Sequence, residues 1–367
     1  MSGHFAFLLH PLDVSDVARK FPFLERHVPG HWLEAVMPYA PPIYTSHITG
    51  IRSPHNTAEG HFISVPLTPR LMLGLPEKVV LRKLIAAGRM AERLGARILG
   101  LGAFTAVVGN AGRDLADALD IAVTTGNSYT AATGVEALGL AADAMGIRLE
   151  EAEAAVVGAT GSVGRVSAML LARRVRNLTL VGRDPQKLEA LAEELLRETG
   201  VAARISTDLH ASLVRADVAI TVSSAIDAIV HPEDLKPGAV VCDIARPRDV
   251  SRLVAEKRDD VLVIEGGIVE VPGDVDFHFN FGLPERMCLA CMAETMMLAL
   301  EERYEDYTLG RDYSLEKVEE TIALARKHGF RVAGLRSFER ALSEEEVARI
   351  RANAMRRKAA LAAAAGS

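Results

Sequence analysis

The chain is poor in the features that mark several protein classes. It has three cysteines in 367 residues, too few for a disulfide framework and in keeping with a reducing, cytoplasmic setting. Forty-two lysines and arginines stand against 48 aspartates and glutamates, a formal net charge of −6 with no strongly basic stretch. The electrostatic footprint of a nucleic-acid binder is absent. The opening MSGHFAFLLHPLDV lacks a basic region, and His10 and Pro11 break its apolar run, so it does not read as a secretory signal. No apolar run approaches the ~18 residues of a membrane span. Peripheral contact with a membrane surface stays open. No internal repeat is visible, and only the closing AAAAGS is low in complexity.

With 49% hydrophobic and 25% charged residues, the chain is long enough for two domains, each with its own core. The clearest one is central. EAAVVG (153–158) is an apolar run entering a glycine turn, and GATGSVGRVSAMLLARR then opens a helix. LTLVG (178–182), ARIS (203–206), DVAITVSS (217–224), AVVCDIA (239–245) and VLVIEGG (261–267) follow, separated by helical or turn segments. Apolar strands without polar alternation, joined by helices, predict an α/β fold: a Rossmann-type doubly wound parallel sheet over residues 151–282.

Residues 1–130 read as an N-terminal α/β substrate-binding domain, with an amphipathic helix over 76–95 and a strand entering a glycine-rich loop at ARILGLGAFTAVVG. A connecting helix occupies 131–150. Helices follow over 284–304 and 315–329, within a C-terminal region 283–342 that completes a discontinuous substrate domain. A helical extension, 343–367, opens on the Ser343/Glu346 capping box.

Gly158, Gly161 and Gly164 form G-x-x-G-x-x-G between the first strand and its helix. Glycines let backbone approach a pyrophosphate, and the helix N-terminus offers free N–H groups and partial positive charge. Thr160, Ser162 and Val163 complete the turn. At the end of the second strand, where NAD enzymes place an acid for the ribose 2′-OH, Gly182 and Arg183 stand instead. Arg183 suits a 2′-phosphate and favours NADPH, although Asp184 follows directly. Ser223 and Ser224 are placed beside the nicotinamide ribose, and Gly266 and Gly267 where backbone meets the nicotinamide.

MCLACMAE (287–294) carries Cys288 and Cys291 three apart, on one face of a helix whose expected start is Pro284 and Glu285. Metal binding would need further ligands, and Cys242 is isolated on a strand, so no metal site is expected. A thioredoxin-like dithiol belongs at a strand-to-helix junction of a small domain. Two buried thiols packed among Met292, Met296 and Met297 remain the plain alternative.

MCLACMAE resembles the cysteine segment of the cyanobacterial long-chain acyl-acyl-carrier-protein reductases, which form fatty aldehydes. TTGNSYTA (124–131), VVGATGSVG, GRDPQKL (182–188), EGGIVE (265–270), LGRDYSLEKVE (309–319) and ARKHGF (325–330) are similar to further segments of that family, in order. The resemblance implies that Cys291 is the acylated nucleophile, with Cys288 a bystander. NADPH then delivers hydride to the acyl-cysteine, and fatty aldehyde leaves. It also implies acyl carrier protein or CoA as substrate carrier, with an aldehyde-consuming enzyme as a further partner.

Thiolate chemistry suits acyl exchange near neutral pH. Two turns into its expected helix, Cys291 would gain little from the dipole. Thr125, Gly126 and Asn127 read either as oxyanion donors or as a loop capping the next helix. Lys78 and Glu294 read as solvated helical residues, and His278, in DFHFNFG, as an exposed strand residue. The basic helix with Arg349, Arg351, Arg356, Arg357 and Lys358 has no counterpart in the family pattern; it could dock an acidic carrier protein or anionic lipid. CDIARPRDV (242–250) also resembles glutamyl-tRNA reductases, but no cysteine precedes Cys242. A shikimate-dehydrogenase-like oxidoreductase or a non-catalytic NADP-binding regulatory protein are the other readings.

Overall fold

The computed structural model describes residues 2–19, 29–310 and 314–365. Positions 311–313 of the similar segment LGRDYSLEKVE and the closing Gly366–Ser367 lie outside them. The chain divides into two compact units, one from residues 1–129 and 269–331, the other from 130–268 and 332–367.

The first unit is built on β1 (Gly3–Leu9), β2 (Ile43–Arg52), β3 (Thr57–Ser64), β4 (Ile98–Gly100) and β5 (Ala122–Thr124). Its sheet runs in the order 273–276, β2, β3, β1, β4, β5. β3, β1, β4 and β5 are mutually parallel; β2 runs antiparallel to β3, and the added strand Gly273–Asp276 antiparallel to β2. That added strand explains why residues 269–282, expected in the dinucleotide domain, belong to the first unit: Gly273 and Asp276 pair with Ile51 and Thr49 of the first sheet.

Alternation along β1 divides the core. Ala6 and Leu8 pack with Val80, Leu84, Ala87 and Ala91 of α1 (Glu77–Arg93). The other face of the sheet receives a helix, Ala290–Leu300, whose eleven residues are all buried. A helix apolar on every side belongs in a core, and two strand glycines admit it closely. A Cβ on Gly3 would lie 2.0 Å from Ala299 O, and one on Gly100 2.1 Å from Thr295 Oγ1.

α2 (Asn127–Met145) carries the chain into the second unit. There β6 (Glu153–Val157), β7 (Asn177–Val181), β8 (Arg204–Ser206), β9 (Val218–Thr221), β10 (Val240–Asp243) and β11 (Leu262–Glu265) form one parallel sheet. Its order is β8-β7-β6-β9-β10-β11, the doubly wound arrangement expected from the sequence, with the dinucleotide crevice falling between β6 and β9. α3 (Ser162–Ala172) follows β6, and α4 (Pro185–Thr199) follows β7. The reciprocal Ser343/Glu346 capping box is present, with N···O distances of 2.9 and 3.2 Å.

Among the described residues no helix is long and apolar enough to cross a membrane.

Candidate active site

The helix bearing the cysteines starts later than its sequence suggests. Pro284 and Glu285 do not open it: Arg286 adopts a left-handed φ of 61°, and Met287–Leu289 is extended. Label this helix α5 (Ala290–Leu300), with Leu289 at its N-cap. Cys288 therefore lies before the helix, and Cys291 is its second residue. This corrects the expectation of a weak dipole, because the first turn is where unpaired N–H groups and partial positive charge concentrate.

Two segments that follow strands of the first sheet approach Cys291, and a third braces one of them. After β5, the turn Thr124–Asn127 is pressed onto it: Gly126 has a φ of +70°, and a Cβ there would lie 2.2 Å from Cys291 Cα. After β4, a Cβ on Gly102 would lie 3.5 Å from Cys291 Sγ. After β1, the ring of His10 accepts the N–H of Phe104 at Nε2 (3.2 Å), while Nδ1 faces Pro11 O at 3.1 Å. That bond needs Nε2 unprotonated, and burial lowers the His10 pKa to about 4.

The residue that organises this niche is Glu294, which corrects its reading as a solvated helical residue. It is 0% exposed. Its carboxylate accepts from Thr124 Oγ1 (2.7 Å), Thr308 Oγ1 (2.8 Å), Ser128 Oγ (2.6 Å) and the Tyr129 N–H (3.0 Å). Four donors converge on an acceptor-only group, so one side chain ties α5 to the turn that covers Cys291. A lone acidic residue in the otherwise almost wholly apolar run Ala290–Leu300 was the only local signal.

Thr125 also has a definite partner: its hydroxyl donates to Thr308 O at 2.6 Å, with the side chain buried. That bond fixes the turn and takes the hydroxyl's proton away from an oxyanion role. Asn127 opens α2 and is half-buried. Cys288 is fully buried. Burial first and a neighbouring Cys291 thiolate second push its thiol well above the usual range, partly offset by the Ala293 N–H. Burial likewise raises Cys242, whose Sγ meets Gly134 O at 3.4 Å.

Lys78 is exposed. So is His278, in a loop rather than a strand, with a φ of 47° and its ring between His47 O and Asp276. Phe277 and Phe281 turn inward onto Phe62, at ring separations of 5.8 and 5.3 Å. Among the described residues no group of three or more His, Cys, Asp or Glu is arranged to hold a metal ion.

In the second unit the glycine turn has the shape a dinucleotide needs. Gly158 has a φ of +79°, and a Cβ there would lie 2.7 Å from Val222 O. A Cβ on Gly164 would lie 2.1 Å from Gly158 O, so this glycine seats α3 against the turn. Gly161 is exposed at the N-cap of α3, which no side chain caps. Thr160, Ser162 and Val163 are half-buried around it. A helix N-terminus without a side-chain cap is the kind of place that receives a pyrophosphate.

Arg183 is exposed beyond β7, whereas the Asp184 carboxylate is occupied: Oδ1 accepts the N–H groups of Gln186 and Lys187 at 3.1 and 3.3 Å as the N-cap of α4. Ser224 is exposed, and Ser223 is held by Asp249. Gly266 is buried for a packing reason, because a Cβ would lie 2.7 Å from both Cys242 Sγ and Ile244 Cγ1. Gly267 has a φ of 73°.

Residues 139–265 match the shikimate / quinate 5-dehydrogenase family. Among solved structures, the chain is similar to quinate dehydrogenase from Corynebacterium glutamicum, at 13% identity and a TM-score of 0.39, covering 88% of this chain and 99% of that one. The doubly wound sheet, its glycine turn and the family match define an NAD(P)-dependent oxidoreductase.

The chain is 30% identical over 312 residues to the long-chain acyl-[acyl-carrier-protein] reductase of Synechococcus elongatus, covering 81% of this chain and 89% of that protein. It belongs to that reductase's family. It is also 32% identical over 295 residues to the aminotransferase PigE of Serratia sp., covering 79% of this chain. Here it spans about a third of the relative, 34% of its length.

Proposed function

We propose that this protein reduces long-chain fatty acyl thioesters, carried on acyl carrier protein or CoA, to fatty aldehydes with NADPH. Cys291 holds the acyl group between the two half-reactions. The carrying observation is the placement of Cys291 in the first turn of a buried helix, with the Gly126 turn clamped over it by Glu294.

The Cys291 thiolate attacks the thioester carbonyl carbon, and the C–S bond to the carrier breaks as its thiolate leaves. Helix N–H groups favour the anionic sulfur, while the fixed turn excludes water and holds the acyl carbonyl. NADPH, when bound, supplies the hydride. The carbonyl oxygen becomes an alkoxide, which re-forms the C=O bond as the bond to Sγ breaks; aldehyde leaves, Cys291 is restored as thiolate, and the proton consumed ends on the carrier thiol. One thioester, one NADPH and one proton give one aldehyde, one carrier thiol and one NADP⁺.

The preference for NADPH rests on Arg183, whose guanidinium suits a 2′-phosphate while Asp184 is engaged as a cap. Thr125 and Asn127 act as positioning and candidate oxyanion groups respectively. Acyl carrier protein as carrier rests on the family.

The test is aldehyde formation from acyl-carrier-protein and CoA thioesters, measured with NADPH consumption. One aldehyde per NADPH is expected from the native protein and from Cys288→Ser, and none from Cys291→Ser. Aldehyde production by Cys291→Ser would point instead to a cysteine-independent dehydrogenase.

A further inference from the structure

Beyond β9 the backbone lies over the glycine turn: a Cβ on Gly158 would come within 2.7 Å of Val222 O and 3.0 Å of Ser223 Cα. This segment is one wall of the crevice between β6 and β9 where a doubly wound sheet takes its dinucleotide. Ser223 gives its N–H to Asp249 Oδ2 at 2.7 Å and its hydroxyl to Asp249 Oδ1 at 2.5 Å. Asp249 is 0% exposed. Its own carbonyl accepts the N–H groups of Ile229 and Val230, at 2.8 and 2.9 Å, so its backbone is fixed as well.

One strand over, Asp243 is buried and accepts from Thr221 Oγ1, the Ala245 N–H and the Val250 N–H. Asp243 is the charged group acting on Asp249, and Arg246 acts in turn on Asp243. Two buried carboxylates therefore hold the ends of β9 and β10.

We propose that Asp249 is a positioning residue of the dinucleotide site: acting through Ser223 it holds the 222–224 wall over the Gly158 turn, so that its ionisation sets cofactor affinity.

An ionised carboxylate accepts both Ser223 donors. A protonated one must place its own O–H, and the backbone N–H of Ser223 cannot accept it. Ser223 Oγ already accepts the Ala225 N–H, and a hydroxyl held as donor toward Asp249 leaves the carboxyl proton unplaced; a buried donor then loses its partner, and the wall loosens. Burial first, and then the Asp243 charge, raise Asp249 from the ordinary carboxylate range to about 6, against the opposing pull of both Ser223 bonds. The change accordingly falls in mild acid. Because the folded value lies above the unfolded one, ionisation here costs stability above about pH 6, and that cost is relieved as pH falls. Fold stability and cofactor affinity thus move in opposite directions with pH.

The test is calorimetric titration of the full chain with NADP⁺ and with NAD⁺ from pH 8 to about pH 5.5. NAD⁺ is essential, because the 2′-phosphate of NADP⁺ itself titrates near pH 6, as phosphate monoesters do. With the protonated form binding about tenfold more weakly, NAD⁺ affinity falls about threefold over this range, as the ionised fraction shrinks. Asp249→Asn is expected to bind NAD⁺ about tenfold more weakly at pH 8, with no further change on acidification. Ser223→Ala, which keeps the N–H contact, is expected to weaken binding about threefold while keeping the acid response. A flat NAD⁺ profile in the native protein, an unaltered profile in Asp249→Asn, or native affinity in Ser223→Ala would overturn the proposal.

Discussion

Gly126 has no room for a β-carbon because Cys291 occupies that space, its Cα 2.2 Å from where the carbon would stand. The left-handed φ of +70° at the same residue adds a second constraint. Gly126→Ala is therefore expected to lose about 1–3 kcal/mol of stability through overpacking against backbone. It should also lose most aldehyde-forming activity. Denaturant unfolding and turnover of the purified variant measure the two; native stability and turnover would show that the turn does not bear on Cys291.

The two neighbouring thiols should differ sharply. Cys288 is fully buried with its pKa raised, and Cys291 stands 9% exposed in a helix first turn. Brief treatment of the native protein with iodoacetamide is expected to modify Cys291 at least tenfold faster than Cys288 or Cys242, as read by peptide mass spectrometry. Equal labelling of Cys288 would contradict the assignment of nucleophile and bystander.

Much of this was legible in the sequence, for identifiable reasons. Short runs rich in Val, Ile, Leu and Ala with no charged residue, at 154–157, 178–181 and 218–221, have the composition of strands buried on both faces, and they carried the doubly wound sheet. The start of α5 was not legible, since Pro284–Glu285 has the composition of a first helical turn. The left-handed Arg286 and the extended Met287–Leu289 are set by tertiary structure. Glu294 was missed for a related reason: its donors lie at 124, 128 and 129 and at 308, and no local pattern reports contacts so distant. The strand at 273–276 likewise reveals its allegiance only through its partner, β2.

Glu294 should be replaceable by no apolar residue. Glu294→Leu removes the acceptor shared by Thr124, Thr308, Ser128 and the Tyr129 N–H, and is expected to cost about 1–3 kcal/mol or more. Glu294→Gln keeps the shape and one acceptor, and is expected to stay folded with turnover down about a hundredfold. Circular dichroism and initial rates distinguish the two; full activity in Glu294→Gln would remove the carboxylate from the account.

His10 should make the first unit acid-sensitive. Its folded pKa, about 4, lies below the ordinary 6.5 because of burial, so the unfolded chain binds the proton first as pH falls. The stability that His10 contributes is complete above about pH 6.5 and is lost progressively toward pH 4, at most about 3 kcal/mol. Urea unfolding across this range should show a shallower acid loss in His10→Gln than in the native protein. Identical pH profiles would refute the assignment.

Arg183 should discriminate between cofactors. Arg183→Ala is expected to weaken NADPH binding about tenfold or more while leaving NADH within about threefold, since the exposed guanidinium has no counterpart to bind on NADH. Parallel loss for both cofactors would place Arg183 outside the 2′-phosphate site.

The most direct test is mass spectrometry of the protein after mixing with a long-chain acyl thioester, first without and then with NADPH. The account requires an acyl adduct on the peptide containing Cys291, stable alone and discharged as aldehyde once NADPH is added. No adduct on Cys291 with either carrier protein or CoA as donor, or an adduct that NADPH leaves in place, would contradict it.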